Sequence, residues 1–450
     1  MNDVRQPFVL PRPQVPWWRD QARALRRAYV RSRRERAAAE QLKRWNSELN
    51  WREFWHGRLF LESYPRIIQV GTNWTCNLKC SFCRLTMDWT QAQLRRLPAR
   101  ELAISDRVQE TVERLLPYAE MMVLTPLGEP LLWAGLKPLL ELHARVGSHN
   151  LALTTNGMLL NERNVERLIE GQLSQLYVSI DSNDPEIYPT LRVGGDLATV
   201  EAGVRRLVAR RRASGAPWPR LTMNATFMRR NIEQLPSMVR WAHELGFDEI
   251  SVQLMEIENP EHEPEFLGHF PDLAREMVLR ALAVGREVGL IVLPHLALRN
   301  LISAAGEGHN VADHQFQGAS PIMPGKPDLA GAPDAKGSQP AGPSGAHAAA
   351  SGCADCHAAA PPFADALIDP ALDMRHKTLV EKCHYPWYNL LIDTDGDARP
   401  CCWADASWGN LNQLSFEEIW NGERAQAMRR AFLANHIPPS CRRKHCRVDL

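Results

Sequence analysis

Three cysteines lie close together after the first apolar run of the chain. Cys76, Cys80 and Cys83 form the pattern C-x3-C-x2-C within GTNWTCNLKCSFCR. Zinc sites usually have four protein ligands, often arranged as separated C-x2-C pairs. Three close thiolates with no histidine or fourth cysteine nearby instead fit a [4Fe–4S] cluster that keeps one iron open. The spacing therefore predicts an iron–sulfur site in this loop.

A second group of cysteines lies near the end of the chain. Four of them could complete the ligands of one fully coordinated [4Fe–4S] cluster: Cys383, Cys401, Cys441 and Cys446. A four-cysteine zinc site has the same requirement and is the competing interpretation. A hairpin with Asp395-Gly396 at its turn is predicted between the first two of these cysteines.

Cys401 and Cys402 are adjacent, and both are unlikely to serve one cluster. Successive side chains of an extended strand point to opposite faces, so only one of the two can reach a given site. Counting from the Gly396 turn, the spacing selects Cys401. Cys402 is then expected to be buried between the hairpin and a helix over 415–433.

A third motif, Cys353-Ala-Asp-Cys356-His357, matches the pattern for attachment of c-type haem. It lies within 304–364, a stretch rich in alanine, glycine and proline that cannot bury enough surface to offset its ordering entropy. We therefore expect a flexible insertion whose two thiols are incidental.

Overall composition excludes several classes of protein. Fifty-three Lys+Arg residues against 52 Asp+Glu residues give a net charge of +1, which excludes a globally basic nucleic-acid binder. No apolar run is long enough to span a bilayer, and the first residues do not read as a secretory signal. Ten cysteines without an export signal indicate a reducing compartment, so a cytoplasmic protein is expected.

Short apolar runs alternate with amphipathic segments between the two cysteine groups. The predicted strands cover 66–72, 121–125, 151–155, 176–181, 221–227 and 249–255. The predicted helices cover 105–117, 133–146, 161–170, 197–212, 231–245 and 271–288. Six strand–helix units in order indicate an α/β fold with a parallel sheet, and periodicity alone permits either a partial barrel or a doubly wound sheet.

Four regions follow from these patterns. Residues 1–60 form a basic helical extension, 61–300 the α/β core, 304–364 the insertion and 376–450 a small α+β domain with the second cysteine group. Within the extension, 17–44 holds ten Lys+Arg and three Asp+Glu. An anionic partner would suit this helix, although a solvated helix on the outside of the core is the favoured interpretation.

The first cysteine loop and the segments after it resemble the radical S-adenosylmethionine (SAM) enzymes. Asn77 follows the first cysteine and the aromatic Phe82 precedes the last, as in that family. Further similar motifs come in order at successive strand ends: TPLGEP (125–130), TTNG (154–157), VSID (178–181) and LRVGGDLATV (191–200). Leu127 stands where the family has the first glycine of its GGEP motif.

This resemblance implies a partial (β/α)6 TIM barrel with a SAM-binding [4Fe–4S] cluster at the C-terminal mouth of its first strand. The residues that it implies as cofactor contacts are Phe82, Gly128, Glu129, Ser179, Asp181 and Arg192. An electron from a low-potential donor of the flavodoxin or ferredoxin type would cleave SAM to methionine and a 5′-deoxyadenosyl radical. That radical abstracts hydrogen from a substrate, and the barrel excludes side reactions.

The segment from 383 to the C-terminus resembles the SPASM/twitch extension of radical SAM enzymes, which binds auxiliary iron–sulfur clusters. The C-x2-C-x5-C-x3-C stretch of the long SPASM form is absent from the sequence. One auxiliary [4Fe–4S] cluster is therefore expected. Because such a cluster is fully ligated, it would accept an electron from a substrate radical or anchor the substrate.

The substrate stays open between two classes, a ribosomally made peptide and a sugar or aminocyclitol. The helical N-terminus lacks the strands of a leader-binding winged helix, which modestly disfavours a peptide. A non-catalytic iron–sulfur electron carrier or a zinc-binding scaffold is the alternative of a different class. No catalytic acid or base is identified, because Glu256, Glu258 and His295 are more simply read as surface or loop residues.

Overall fold

In the computed structural model, one sheet runs through the described part of the chain. That part comprises residues 37–125, 127–147, 149–255, 257, 260–295, 297–299, 383–402, 404–405 and 407–441. The sheet has the strand order β10-β9-β8-β1-β2-β3-β4-β5-β6-β7. Its strands are β1 (Ile67–Gly71), β2 (Met121–Thr125), β3 (Leu151–Thr155), β4 (Gln175–Ser179), β5 (Arg220–Phe227), β6 (Glu249–Leu254), β7 (Ile291–Pro294), β8 (Asn389–Ile392), β9 (Asp397–Arg399) and β10 (Gly409–Asn410).

Helices alternate with the strands of the parallel part of the sheet. They are α1 (37–55), α2 (Asp88–Leu94), α3 (Asp106–Leu115), α4 (Leu136–Val146), α5 (Glu162–Glu170), α6 (Tyr188–Leu191), α7 (Leu197–Ser214), α8 (Leu235–Leu245), α9 (Pro271–Val288), α10 (Tyr385–Tyr388), α11 (Phe416–Trp420) and α12 (Glu423–Leu433). Strands β1 to β7 are parallel to their neighbours, as a partial TIM barrel requires. The predicted fold class is confirmed.

Local signals place the helix ends where the sequence predicts them. The side chains of Ser105 and Asn161 accept hydrogen bonds from backbone N–H groups at the starts of α3 and α5. Gly246 ends α8 with a φ of +87°, which a residue with a side chain rarely adopts. The strands alternate between the two faces of the sheet, so Val70 and Val178 pack with helix residues in one continuous core.

The C-terminal hairpin is present, but its position in the fold was not predicted. β8 and β9 are antiparallel, and Gly396 has a φ of +86° in the turn between them. β8 also pairs in parallel with β1, with Ile67 opposite Asn389. The hairpin therefore extends the barrel sheet directly. β7 is a further parallel strand that the sequence analysis did not identify.

The single helix expected over 415–433 is wrong. Two helices, α11 and α12, occupy this region and Gly422 separates them. A Cβ at Gly422 would lie 2.3 Å from the carbonyl oxygen of Glu418, so the glycine allows the chain to turn tightly at this point.

The described part of the N-terminal extension packs against the barrel. The side-chain amide of Asn46 donates hydrogen bonds to the carbonyls of Tyr64 and Tyr118. Asn50 donates in the same way to Trp387 on α10. Most of the basic stretch 17–44 lies outside the described residues, as does all of 304–364 with its C-x-x-C-H motif. Across the described ranges, no helix has both the length and the apolarity needed to cross a membrane.

Candidate functional site

The first cysteine loop begins just after β1 and is held against the loop after β2. The backbone N–H of Glu129 donates a hydrogen bond to the carbonyl of Thr75 (2.8 Å). The side-chain amide of Asn73 donates to the same carbonyl (2.9 Å). A Cβ at Gly128 would lie 2.2 Å from the carbonyl oxygen of Asn73, so only glycine permits this approach. Gly128 and Glu129 thus fix the start of the cysteine loop.

The three thiols lie in one partly buried group. Burial raises the pKa of Cys80 to about 11, although the nearby Arg192 guanidinium opposes the increase. Burial also raises the pKa of Cys76 and of Cys83. The charges of Cys76 and Cys83 contribute further to the raised pKa of Cys80, so the structure brings the three side chains together as the spacing predicts.

This group suits an iron–sulfur cluster better than a single metal ion. Within the described residues, no three His, Cys, Asp or Glu side chains converge on a point where one ion could bind. Ligands of a zinc ion must converge, because each Zn–S bond is about 2.3 Å long. A cubane cluster distributes three thiolates over three irons and does not require such convergence. The donor set and its spacing therefore fit a [4Fe–4S] group.

Glu129 connects the ends of β2 and β3 below the cysteine loop. It is fully buried, and its carboxylate accepts hydrogen bonds from the Thr155 hydroxyl (2.8 Å) and the Asn156 backbone N–H (2.8 Å). The side-chain amide of Asn156 then lies 3.7 Å from Sγ of Cys76 and donates to Oδ1 of Asn77 (2.8 Å). The Glu129 side chain therefore positions the loop and is fully engaged by protein groups.

Arg192 lies on the opposite side of the loop. Its Nε donates to a carboxylate oxygen of Asp181 (2.5 Å), and its Nη1 lies 3.8 Å from Sγ of Cys80. The other carboxylate oxygen of Asp181 accepts the backbone N–H of Thr226 (2.8 Å). The guanidinium carbon lies 5.7 Å from the centre of the Phe82 ring. Arg192, Asp181 and Phe82 are thus assembled around Cys80.

The six implied cofactor residues lie at or near the C-terminal ends of β2 and β4 or in the loops beside them. Ser179 is buried at the last position of β4, two residues before Asp181. Asp181 is completely buried and engaged by Arg192 and Thr226, so a direct contact between Asp181 and SAM stays a prediction. The same holds for the SAM contacts implied for the other five residues.

The second cysteine group is only partly described. The loop after β9 is tied to the turn that contains Cys441, because the backbone N–H of Asp405 donates to the carbonyl of Ser440 (3.0 Å). The side-chain amide of Asn389 donates to the carbonyl of Pro400 (2.5 Å), which places the residue before Cys401 at the start of β8. Cys383 lies six residues before that start, and Cys446 lies outside the described residues.

The expectation that Cys402 is buried is wrong. Its side chain is exposed, whereas Cys401 is half-buried. β9 ends at Arg399, so Cys401 and Cys402 lie in a bend after the strand. The strict alternation of side chains in an extended strand does not apply there. Selection of Cys401 as the cluster ligand stays a prediction.

Sequence reasoning missed a charged group between the two cysteine regions. A carboxylate oxygen of Asp393, at the end of β8, lies 2.6 Å from Nη2 of Arg399. Burial raises the pKa of Asp393, while Arg399 and, more weakly, Arg84 oppose this. Arg84 directly follows Cys83. The charged run DTDGDAR was visible in the sequence, but the parallel pairing of β8 with β1 was needed to place it here.

Of the acid–base candidates in the sequence, Glu256 and Glu258 lie outside the described residues. His295 is half-buried directly after β7, and its backbone N–H donates to the carbonyl of Val252 (2.8 Å). Its role stays open.

Comparisons with known proteins agree with this geometry. A family model described as the radical SAM superfamily matches residues 75–267. A second one, SPASM, described as an iron-sulfur cluster-binding domain, matches residues 383–447. The chain belongs to the radical SAM superfamily. It is a radical SAM enzyme with a C-terminal SPASM domain, and the cofactors of these domains are SAM, its [4Fe–4S] cluster and auxiliary iron–sulfur clusters.

Individual relatives are distant. A probable GTP 3′,8-cyclase from Methanococcus maripaludis is 28% identical over 198 residues, which cover 44% of this chain and 60% of the relative. The GTP 3′,8-cyclase from Pseudomonas entomophila is 28% identical over 175 residues, covering 38% of this chain and 48% of the relative. The matched stretch thus spans 60% or less of either curated relative.

A solved structure shows the same fold. SuiB from Streptococcus suis, bound to its precursor peptide SuiA, superposes with a TM-score of 0.52 at 14% identity. The match covers 84% of this chain and 68% of SuiB. At this identity the likeness concerns the fold alone.

Proposed function

We propose that this enzyme cleaves SAM reductively and uses the resulting radical to abstract a hydrogen atom from an organic substrate. The observation that carries the proposal is the group of Cys76, Cys80 and Cys83 at the C-terminal mouth of β1, between Glu129 and Arg192. When bound there, a [4Fe–4S] cluster with one open iron holds SAM and supplies the electron that breaks its S–C5′ bond.

The chain's own residues have separate tasks in this proposal. The three thiolates bind iron, and Arg192 stabilises the negative charge at Cys80. Glu129 orders the ends of β2 and β3, so that the backbone around Gly128 can receive the amino group of SAM. Strand ends arranged around one mouth hold the reacting groups in place and exclude water, which a carbon radical requires.

The second half of the proposal concerns the SPASM domain. Cys383, Cys401, Cys441 and Cys446 are proposed to bind one auxiliary [4Fe–4S] cluster. This cluster would accept the electron left on the substrate after hydrogen abstraction, or anchor the substrate. The proposed substrate is a ribosomally made peptide or a small molecule of the sugar or aminocyclitol type. The distant relatives named GTP 3′,8-cyclase make a nucleoside triphosphate the second candidate.

Formation of 5′-deoxyadenosine tests the first step without knowledge of the substrate. The anaerobically reconstituted protein would be incubated with SAM and dithionite, or with reduced flavodoxin, and the products quantified by mass spectrometry. The triple variant Cys76→Ala, Cys80→Ala, Cys83→Ala should form none while retaining iron at the C-terminus. Cys402→Ala, an exposed cysteine, is the matched control. SAM cleavage by the triple variant would contradict the site, and none by the iron-loaded wild type would favour an electron carrier.

The substrate class can be assigned by isotope transfer. Deuterated peptides, deuterated aminocyclitols and deuterated GTP would each be added to the same incubation. Deuterium in 5′-deoxyadenosine identifies the class whose hydrogen atom is abstracted. Transfer only from GTP would replace the peptide and sugar proposals with the cyclase candidate.

A further inference from the structure

Tyr188, at the start of α6, has a hydroxyl that lacks a protein partner. Its side chain is completely buried, and among the described residues no group forms a hydrogen bond with the hydroxyl. The ring packs in the main apolar core. Buried hydroxyls are nearly always paired, because removing one from water without compensation is unfavourable. This hydroxyl therefore calls for a partner that these protein groups do not supply.

The backbone around Tyr188 is closely fixed, and a glycine leaves space beside the hydroxyl. A Cβ at Gly195 would lie 3.3 Å from the hydroxyl oxygen and 3.0 Å from Cε1 of the ring. The Arg192 N–H donates to the Tyr188 carbonyl (2.8 Å), and the Gly195 N–H donates to the Arg192 carbonyl (2.7 Å). These bonds hold the hydroxyl in one place, in a cradle that any larger residue at 195 would fill.

This cradle adjoins the cysteine loop. The backbone N–H groups of Lys79 and Ser81 donate to the carbonyls of Val193 (2.8 Å) and Leu191 (3.0 Å). Cys80 lies between these two anchors, beside the turn that contains Tyr188, and its Sγ lies 3.8 Å from Nη1 of Arg192. Burial is the main cause of the raised pKa of Tyr188, and the thiolate charge of Cys80 is among the further causes.

We propose that Tyr188 is a positioning residue whose hydroxyl donates a hydrogen bond to Sγ of Cys80, or to the sulfide next to it, when the cluster is bound. Hydrogen bonds to the sulfurs of a cluster stabilise its more negative, reduced form and so raise its reduction potential. Tyr188 would thereby help the SAM cluster to accept its electron. This inference rests on the proposed assignment of the cluster to the first cysteine loop.

The test is Tyr188→Phe in the full-length, cluster-loaded protein, since phenylalanine keeps the ring and removes only the hydroxyl. Tyr118→Phe, at a half-buried tyrosine near α1, is the matched control. Reduction would be followed by EPR at fixed potentials, with and without SAM, so that the SAM-sensitive signal identifies the cluster concerned. The midpoint potential should move to a more negative value in Tyr188→Phe and stay unchanged in Tyr118→Phe.

A second measurement separates this role from simple packing. Loss of the SAM cluster to a chelator should be about two- to tenfold faster in Tyr188→Phe, the range expected for one hydrogen bond. Thermal unfolding followed by circular dichroism should stay close to that of wild type, whereas a purely structural role would lower it. An unchanged or more positive potential, or an equal shift in Tyr118→Phe, would overturn the proposal. Because these readouts concern the cluster, a failure of SAM cleavage in wild type would contradict the proposed function separately.

Discussion

At the scale of single residues, Arg192 has the most connected position in the site. Its guanidinium contacts the Asp181 carboxylate, Sγ of Cys80 and the face of Phe82. Burial disfavours the thiolate form that iron requires, and a neighbouring positive charge favours it. The Thr226 N–H in turn holds Asp181. One backbone contact on β5 thus fixes the charge that prepares a cysteine for cluster binding.

The adjacent cysteines at the end of the hairpin allow a sharp prediction about iron content. Cys401→Ala should reduce iron from roughly eight atoms per chain, for two cubanes, to about four. Cys402→Ala should keep the full complement. Because Cys402 is exposed, its replacement should change the free energy of unfolding by no more than about 0.5 kcal/mol. Iron analysis and thermal unfolding of both variants check this.

The reverse pattern of iron loss would show that Cys402 is the ligand. In that case the bend after β9 would present the second cysteine to the cluster. Equal loss from both variants would indicate that the bend itself is needed to hold the auxiliary site.

At the scale of elements, His143 joins α4 to the start of β3. It is completely buried, and its Nδ1 lies 2.9 Å from the carbonyl oxygen of Gly171. Its Nε2 lies 3.3 Å from the backbone N–H nitrogens of both Asn150 and Leu151. The neutral ring with its proton on Nδ1 satisfies all three contacts, whereas a protonated Nε2 would face two donors. Burial accordingly lowers the pKa of His143 to about 4.

This lowered pKa predicts a loss of stability in mild acid. The unfolded chain takes up a proton near the ordinary pKa of about 6.5, while the folded chain resists it down to about 4. The contribution of His143 is therefore complete above pH 6.5 and is lost as the pH falls towards 4. Between pH 7 and pH 5 it should cost about 2 kcal/mol of unfolding free energy.

Thermal unfolding at pH 7 and pH 5 checks this prediction in His143→Gln. The variant should be less stable than wild type at pH 7 but should lose less stability on acidification. His243→Gln, at an exposed position on α8, is the matched control and should follow wild type. An identical pH dependence in His143→Gln and wild type would assign the acid sensitivity to other groups.

Arg429 connects the elements of the C-terminal half. This buried side chain of α12 donates to the carbonyls of Pro386 (2.9 Å), Leu59 (2.7 Å) and Trp420 (2.9 Å). Burial lowers its pKa to about 9. Arg429→Met keeps much of the volume but leaves three carbonyls without this donor, so unfolding should become easier by about 3–5 kcal/mol. The exposed neighbour Arg430→Met should change stability by about 0.5 kcal/mol or less.

Thermal unfolding midpoints of both arginine variants, together with their iron content, check the prediction. Loss of stability accompanied by loss of about half of the iron would show that Arg429 also supports the auxiliary site. Equal stability of the two variants would contradict a connecting role for Arg429.

At the scale of the whole molecule, the sequence predicts local and repeated features well. The six strands and six helices of the α/β core are present with only small shifts at their ends. Ser105, Asn161 and Gly246 could be identified because capping depends on neighbouring residues. The first cysteine loop could be predicted for the same reason, since its three ligands lie within eight positions.

Features that depend on distant residues could not be predicted. The pairing of β8 with β1 joins Asn389 to Ile67 across more than 300 positions, and no local pattern encodes it. The engagement of Asp181 by Arg192 and Thr226 likewise requires the packed strand ends. The exposure of Cys402 was missed because β9 ends earlier than an extended strand through 402 would require.

The continuous sheet predicts that the barrel and the SPASM region do not fold well apart. Without β8, the inner edge of β1 would expose unpaired backbone groups, which promote aggregation. Several side-chain bonds cross the same boundary: the indole N–H of Trp420 donates to the Ser63 carbonyl (2.8 Å), and Asn50 donates to the Trp387 carbonyl (2.7 Å). A chain of residues 1–300 should therefore be largely insoluble, and co-expression of 376–450 should restore its solubility.

The matched control keeps every residue and breaks only the covalent chain. A protease site inserted within 304–364 would be cleaved after purification, and the two fragments should still elute together from a sizing column with their iron. Since the pairing of β8 with β1 and the bonds of Trp420 and Asn50 do not depend on an intact connection, cleavage should leave 5′-deoxyadenosine formation within about twofold of the uncut protein. A soluble, monodisperse 1–300 chain that binds iron would show instead that β1 tolerates an open edge.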